Sequence, residues 1–135
     1  MEQNEQFALL RRLKFFHDFA HGEIWEVLRA STWNDYDANE EIVREGDMDE
    51  RFYIVVSGTC NVESGRRRMG TLSVGDCFGE TSYVPGAKRP ATVKAADAVT
   101  VLTVSATQLE QASANCQLRF NRVFLRSIIE RLQGN

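Results

Sequence analysis

Two side chains of opposite charge flank a turn-rich loop in the segment CFGETSYVPGAKRPATVKA, residues 77–95. Arg89 carries a planar, permanently charged guanidinium group that suits two phosphate oxygens. Glu80 accepts hydrogen bonds, and a sugar hydroxyl is a natural donor to it. Gly79 has no Cβ, so a ligand can approach its backbone closely. The loop therefore predicts a site for a small ribose phosphate; a plain surface ion pair between Glu80 and Arg89 is the alternative.

Short strands must position this loop. From about residue 32, segments rich in β-branched and aromatic residues alternate with glycine-containing turns. The segments are EEIVREGD, RFYIVVSGTCNVESG, RRMGTLSVGDCFGE and ATVKAADAVTVLTVS. Regular short strands with turn signals indicate an antiparallel sandwich or barrel, and the charged loop lies between two of its strands. Thr81 or Ser82 can begin a short helical turn within the loop, whose first N–H groups favour an anion.

Helical patterns flank the strands at both ends of the chain. The first thirty residues carry an apolar stripe, and Ser105 is predicted to cap a helix by accepting from a free backbone N–H group. A longer helix follows over CQLRFNRVFLRSIIERLQ, with apolar residues on more than one face. These residues are Leu118, Leu125 and Leu132, spaced by seven, together with Phe120, Phe124, Ile128 and Ile129. We expect this helix to pack on its own domain; a dimer contact or a movable lid is the alternative.

Composition and charge limit the possible partners. The 135 residues are most simply one domain, and their net charge of −3 argues against general attraction to nucleic acid or anionic lipid. The run Arg66-Arg67-Arg68 follows Ser64-Gly65 and is interpreted as the solvated tip of a hairpin. The N-terminal segment contains charged residues and no long apolar run, so neither a secretory signal nor a membrane span is predicted there.

The cysteines and histidines indicate neither a disulfide framework nor a metal site. Cys60, Cys77 and Cys116 are odd in number and scattered, which is typical of reduced thiols in a cytoplasmic protein. His17 and His21 have the spacing of metal ligands on a helix, but no nearby residue completes a set. We therefore expect no metal and no resident cofactor.

The loop and the strands around it resemble the cyclic nucleotide-binding domain family. FGETSYVPGAKRPATVKA is similar to the phosphate-binding cassette of these domains, with the Gly-Glu to Arg interval of the regulatory subunits of cyclic-AMP-dependent kinases. The segments EGD at 45–47, FYIVVSG at 52–58 and VGDCFGE at 74–80 match the glycine-marked strands of the family. The resemblance runs from about residue 13 to about residue 132.

The resemblance implies a fold of mainly β structure with flanking helices. It places N-terminal helices at about 5–30, an antiparallel jelly-roll-like β-barrel at about 32–104, and a C-terminal helix pair at about 105–133. All of residues 1–135 then form a single cyclic nucleotide-binding domain.

The family's ligand contacts are carried over position by position. The resemblance implies that Glu80 binds the ribose 2′-hydroxyl and that Arg89 pairs with the cyclic phosphate. The backbone amides around Gly79, Thr81 and Ser82 would help to hold that phosphate.

Further contacts are implied for the strands, the loop end and the last helix. Val62 and Met69 align with barrel positions that contact the base, and Pro90 and Ala91 follow the arginine of the cassette. In the family the C-terminal helix often caps the base. Three residues of this chain are left open as the cap: Phe120, Arg122 and Phe124.

Pro90 is the main departure from the cassette. The family usually has a small residue after the arginine, whose N–H group contacts the phosphate, and proline has no N–H group. Losing a hydrogen bond to a charged group costs roughly 1.5–3 kcal/mol, or about tenfold to a hundredfold in affinity. A hydroxyl at this position favours guanine in some relatives, so Pro90 favours cyclic AMP; Thr92 keeps cyclic GMP open.

The sequence therefore predicts a non-catalytic, cytoplasmic regulatory domain. It would bind cyclic AMP, or else cyclic GMP, and transmit binding through its C-terminal helix to an effector protein or a fused domain, with a homodimer as a further option. No contact with nucleic acid or membrane is expected. A degenerate domain that has lost its ligand and acts as an interaction module is the alternative. A cupin-type enzyme is disfavoured because both histidines lie in the N-terminal helical region.

Overall fold

The computed structural model describes residues 1–134, beginning with two helices that cover one side of a β structure. Helix α1 spans Gln3–Arg12 and α2 spans His21–Arg29, with a 3-10 turn at Lys14–Phe16 between them. The Glu23 carboxylate accepts a hydrogen bond from the N–H of Ala20 at 2.8 Å, which satisfies a free donor at the start of α2. This part of the fold agrees with the predicted N-terminal helices.

Eight antiparallel strands form two four-stranded sheets. The first sheet has the order β1-β8-β3-β6 and the second the order β2-β7-β4-β5. The strand bounds are β1 Ser31–Tyr36, β2 Glu41–Val43, β3 Arg51–Ser57, β4 Cys60–Ser64, β5 Arg67–Leu72, β6 Cys77–Phe78, β7 Thr92–Ala95 and β8 Val99–Ser105. The predicted class, mainly β with flanking helices and a jelly-roll-like arrangement, is confirmed.

The predicted barrel closure is corrected by the sheet pairing. In residues 1–134 the first sheet keeps β1 and β6 as edges, and the second keeps β2 and β5. The two sheets therefore form a sandwich rather than a closed barrel. Strand β1 itself was not singled out from the sequence, because STWNDY carries polar residues that are depleted in strands. It forms by pairing along its whole length with β8.

Two hydrophobic clusters divide the interior. The first lies between the first sheet and the helices and is rich in phenylalanine; Phe52 of β3 packs 5.4 Å from Phe120 and 5.1 Å from Phe124, between ring centroids. The second contains residues of both sheets, among them Val43, Tyr53 and Val93, with smaller side chains overall. The first cluster therefore anchors the helices, and the second holds the two sheets together.

Two further helices complete the chain, α3 at Ala106–Leu109 and α4 at Ala114–Leu132. The Ser105 hydroxyl accepts from the N–H of Gln108 at 3.2 Å, which confirms the predicted cap. In α4 one face is buried in the first cluster, and a second face stays exposed with Leu118, Leu125, Ile129 and Leu132. Within residues 1–134, none of the helices has the length and apolar character needed to cross a membrane.

Candidate functional site

The charged loop is shaped by one glycine whose backbone no other residue would fit. Gly79 follows β6 with φ of +101° and precedes a 3-10 turn at Glu80–Tyr83. A Cβ built on Gly79 would lie 2.6 Å from the backbone oxygen of Arg51. Both the left-handed conformation and the close approach of β3 therefore require glycine here.

Arg89 lies inside the protein although it carries a permanent charge. Its side chain is 3 % exposed, and its guanidinium donates to the Thr81 hydroxyl at 2.8 Å, the Arg51 backbone oxygen at 2.9 Å and the Ser82 hydroxyl at 3.2 Å. Its Nε is buried as well and has no hydrogen-bond partner among residues 1–134. Burying a charge lowers stability unless the charge is paired. The groups around Arg89 therefore decide how much of its charge remains for another partner.

One carboxylate is shared among several groups around Arg89. An oxygen of Asp49 lies 3.6 Å from the Arg89 guanidinium, and the other lies 3.2 Å from Arg51. The Tyr53 hydroxyl donates to Asp49 at 2.6 Å, and burial together with this bond raises the pKa of Tyr53. Asp49 therefore serves two arginines at once, and its single negative charge does not balance both.

The backbone of Arg89 is held by the turn that precedes β3. The N–H of Arg89 donates to the Asp47 carbonyl at 2.7 Å, and its carbonyl accepts from Gly46 at 2.8 Å. The Thr92 hydroxyl accepts from the N–H of Glu45 at 2.9 Å. These bonds explain why the EGD segment accompanies the loop in the sequence: it fixes the arginine in place.

Glu80 is placed differently from Arg89. It is exposed, and one carboxylate oxygen accepts from the N–H of Gly79 at 3.1 Å. No ion pair joins Glu80 to Arg89 in the described part of the chain. The two groups that the sequence singled out are therefore held by separate partners and are not paired with each other.

A cavity of about 500 Å³ lies between β4, β5, the charged loop and the end of α4. Its lining includes every residue of the predicted site except Ser82. The lining residues among the predictions are Val62, Met69, Gly79, Glu80, Thr81, Arg89, Pro90 and Ala91. The structure thus brings together positions that are up to 29 residues apart in the chain, with a basic, an acidic and an apolar part.

Ser82 lies outside this cavity. Its N–H donates to the Gly79 carbonyl, and its hydroxyl lies 3.0 Å from the Asp49 carbonyl and 2.9 Å from that of Arg51. Both polar groups of Ser82 are therefore engaged by the protein, and this residue can act on a ligand only through Arg89.

The three candidate caps of α4 lie away from the cavity. Phe120 and Phe124 are fully buried in the first cluster, and Arg122 faces a shallow cavity on the outer side of α4, so none of the three reaches the 500 Å³ cavity. The α4 residues that line it are Arg131 and Leu132. The sequence could not identify them, because the place where a helix end meets a sheet depends on how the helix crosses it.

Residues 1–134 contain no group of three or more histidine, cysteine or acidic side chains arranged to hold a metal ion. His17 and His21 lie at the helical end of the molecule, away from the cavity residues.

Comparison with known proteins gives a consistent family. Residues 33–116 match the family model of the cyclic nucleotide-binding domain. The cAMP-dependent protein kinase regulatory subunit of Debaryomyces hansenii is 34% identical over 96 residues, covering 70% of this chain and 21% of that protein. The cGMP-dependent protein kinase of Toxoplasma gondii is 28% identical over 131 residues, covering 97% of this chain and 13% of that protein.

A solved structure shows the same fold. The regulatory domain of Toxoplasma gondii PKA with cAMP has a TM-score of 0.73 and 19% identity, covering 88% of this chain and 48% of that one. The chain therefore spans only a small part of the length of the two curated relatives and about half of this structure.

Proposed function

The chain belongs to the cyclic nucleotide-binding domain family, and on that basis we propose that it is a non-catalytic regulatory domain that binds a cyclic nucleotide, cyclic AMP in preference to cyclic GMP. The ligand would occupy the cavity beside Arg89 and Glu80. Nucleic acid and membrane lipid are not its ligands in this proposal.

The observation that carries the proposal is the state of Arg89. A buried guanidinium with an unpartnered Nε and only a shared carboxylate at 3.6 Å is poorly compensated in a protein interior. An anion in the adjoining cavity would supply both the missing acceptor and the missing charge. A cyclic phosphate has the required oxygens and a single negative charge, and hydrogen bonds between charged groups are the strong ones.

The remaining parts of a nucleotide find partners along the cavity. Glu80 offers an exposed carboxylate to the ribose 2′-hydroxyl, and Val62 and Met69 offer apolar surface to the base. Arg131 and Leu132 are the α4 residues in the cavity lining and are our candidates for the cap of the base. The contacts of these residues with ligand are proposals that follow from their place in the lining.

The proposed base preference depends on two positions where a hydroxyl could contact guanine, residues 90 and 92. Pro90 lines the cavity without a hydroxyl, and the Thr92 hydroxyl already accepts a hydrogen bond from Glu45 and lies outside the lining. Neither position therefore supports a guanine-specific contact, which favours cyclic AMP. The relatives include both a cAMP-dependent protein kinase regulatory subunit and a cGMP-dependent protein kinase, so they do not decide between the two nucleotides.

Calorimetric titration of the chain with cyclic AMP and cyclic GMP tests the proposal. We expect binding of both, tighter for cyclic AMP, and a loss of about a hundredfold or more in Arg89→Ala, because this change removes a buried charged partner. Arg44→Ala, an exposed arginine outside the lining, is the matched control and should bind like the parent. Binding that survives Arg89→Ala would refute the site.

A domain of this fold without a ligand is the second candidate function, and Pro90 is the observation that favours it. Proline removes a backbone donor from the phosphate end of the cavity. Absence of heat from either nucleotide at millimolar concentration would exclude the sensor and favour the interaction module.

Two contacts on either side of Gly79–Ser82 join the charged loop to α4 and support a proposed route for transmission. The Tyr83 hydroxyl donates to Asn121 of α4 at 2.9 Å, and the Arg131 guanidinium donates to the Cys77 carbonyl at 2.6 Å. We propose that ligand binding shifts the packing of α4 through these contacts, which requires a ligand with unequal affinity for the two arrangements. Hydrogen exchange across 114–132 with and without cyclic AMP measures this; unchanged protection would exclude the route.

The exposed apolar face of α4 is a candidate surface for binding another protein chain. Leu118, Arg122, Leu125, Ile129 and Leu132 alternate spacings of four and three, which is the a/d pattern of a coiled coil with leucine at d and isoleucine at one a position. We propose that a second copy of the chain covers this face, in addition to an effector protein or fused domain. Since stable interfaces bury about 1,200 Å² or more, two heptads predict a weak dimer.

Sedimentation equilibrium tests the dimer directly. Self-association should disappear in Leu125→Glu and persist in Met48→Glu, which places the same charge at another exposed apolar position. Equal behaviour of the two variants would contradict a dimer through α4.

The cysteines favour the cytoplasm as the proposed location. All three are free and buried, and burial raises the pKa of Cys60 to about 11 and that of Cys77 to about 12. Thiols of this kind are protonated and unreactive at neutral pH, and free thiols are typical of reducing compartments.

A further inference from the structure

Three consecutive arginines lie on the hairpin that forms one wall of the cavity. Arg66 is in the turn between β4 and β5, and Arg67 and Arg68 begin β5; all three are exposed. The same hairpin contributes Ser64 and Met69 to the cavity lining. The sequence alone indicated only a solvated hairpin tip. In the fold, Arg66 is two residues from Ser64 of β4, and Arg67 is two residues from Met69 of β5, both in the cavity lining.

The charge at the tip is only partly compensated. Arg68 donates to the Asn61 side chain at 2.6 Å, but the side chains of Arg66 and Arg67 form no hydrogen bond or ion pair within residues 1–134. The Glu45 carboxylate lies at the tip and offsets part of the arginine charge, whereas Glu63 has Lys94 as its ion-pair partner. Glu45 accepts from the N–H of Gly65 at 2.9 Å, and Glu63 lies 3.6 Å from the Lys94 ammonium.

This arrangement matters because the chain as a whole is negative. With a net charge of −3, the protein repels an anion at long range, and a local basic cluster beside a cleft can reverse that field. We propose that Arg66 and Arg67 steer an anionic ligand into the cavity and speed its association without contacting it in the complex. This inference rests on the proposed function, since it assumes a cyclic nucleotide as the anion.

Steering and direct contact have different kinetic signatures. A steering charge changes the association rate constant and loses its effect in salt, because the screening length falls from about 30 Å at 0.01 M to about 3 Å at 1 M ionic strength. A contact in the complex would instead change the dissociation rate constant.

Stopped-flow binding of cyclic AMP labelled on the base with an uncharged fluorophore separates the two. At about 0.01 M ionic strength we expect the association rate constant of R66Q/R67Q to fall about threefold, with dissociation unchanged, and the difference to vanish near 1 M. The control R11Q/R12Q removes the same charge from two exposed arginines at the end of α1, on the helical side of the fold, and should leave association nearly unchanged.

Two results would overturn steering while leaving the proposed function intact. Equal slowing in both double variants would show an effect of net charge alone, and a change confined to dissociation would show a direct contact. If the parent chain binds no labelled nucleotide at any salt concentration, the proposed function fails and this inference fails with it.

Discussion

The two hydrophobic clusters of this domain differ in how completely they are packed. The cluster under the helices is filled by aromatic rings, with Phe15 and Phe120 at 5.6 Å and Phe120 and Phe124 at 5.8 Å between centroids. The cluster between the sheets has smaller side chains and adjoins a cavity of about 500 Å³, beside a charged residue with an unpartnered Nε. Empty space and an uncompensated charge both work against folding. The first region therefore contributes mainly to stability, whereas the second has the open space and the charge that we propose for a ligand site.

Truncation of one ring should expose this contrast most strongly. Phe120→Ala is expected to lower the free energy of unfolding by about 3–5 kcal/mol, because Phe120 is fully buried among other rings. Val62→Ala, on the cavity wall and only partly buried, should cost less than about 1.5 kcal/mol. Chemical denaturation measures both, and similar losses would contradict the division into a packed and an open region.

Gly79→Ala tests the backbone that shapes the open region. We expect a loss of about 2–3 kcal/mol in stability and weaker nucleotide binding, because the added Cβ is strained at φ of +101° and meets the Arg51 carbonyl at 2.6 Å. Gly86→Ala is the matched control: its φ is +77° but nothing lies within 4 Å of the added atom. If Gly86→Ala costs as much as Gly79→Ala, the contact with β3 is irrelevant.

Pro90→Ala tests how much the missing N–H group at this position weakens nucleotide binding in the open region. Restoring a backbone N–H beside Arg89 is expected to tighten cyclic AMP binding about tenfold, the value of one hydrogen bond to a charged group. Titration calorimetry on the variant and the parent gives the ratio. Unchanged or weaker affinity would show that the proline orders the loop by more than its missing donor costs.

Tyr83→Phe probes the link between the two regions and has the smallest expected effect. Removing the hydroxyl leaves the Asn121 oxygen without its donor, so stability should fall by about 1 kcal/mol. Tyr36→Phe, whose hydroxyl has no partner among residues 1–134, should change stability by less than about 0.5 kcal/mol. Equal values in thermal or chemical unfolding would remove this contact from the proposed route to α4.

Local features of the chain were predictable because they depend on near neighbours. The Ser105 cap follows from short-range sequence rules and was confirmed. The short strands separated by glycine-containing turns follow from similar rules and are present in the fold. Strand β1 was not predicted because its polar sequence becomes a strand only by pairing with β8, whose residues lie 63 to 73 positions further along the chain.

The candidate site divides in the same way. Glu80 and Arg89 were singled out from residue types and spacing, and their roles toward a ligand stay predictions. Residue types gave no sign that Arg89 would be buried with an unpartnered Nε, or that Ser82 would turn toward β3. The location of Arg131 and Leu132 in the cavity wall could be seen only from the packing of α4. A helix with two apolar faces can pack against the sheets by either face.

The amino-acid sequence by itself determined the family, the class of fold and the loop in which an acid and a base could hold a ribose phosphate. These properties rest on residue types at short, fixed spacings, which the chain expresses wherever it folds. Tertiary structure alone decided that the sheets stay open, that the end of α4 meets the cavity, and that three arginines flank it. Each of these depends on which distant surfaces pack together, and no local pattern in the chain encodes that choice.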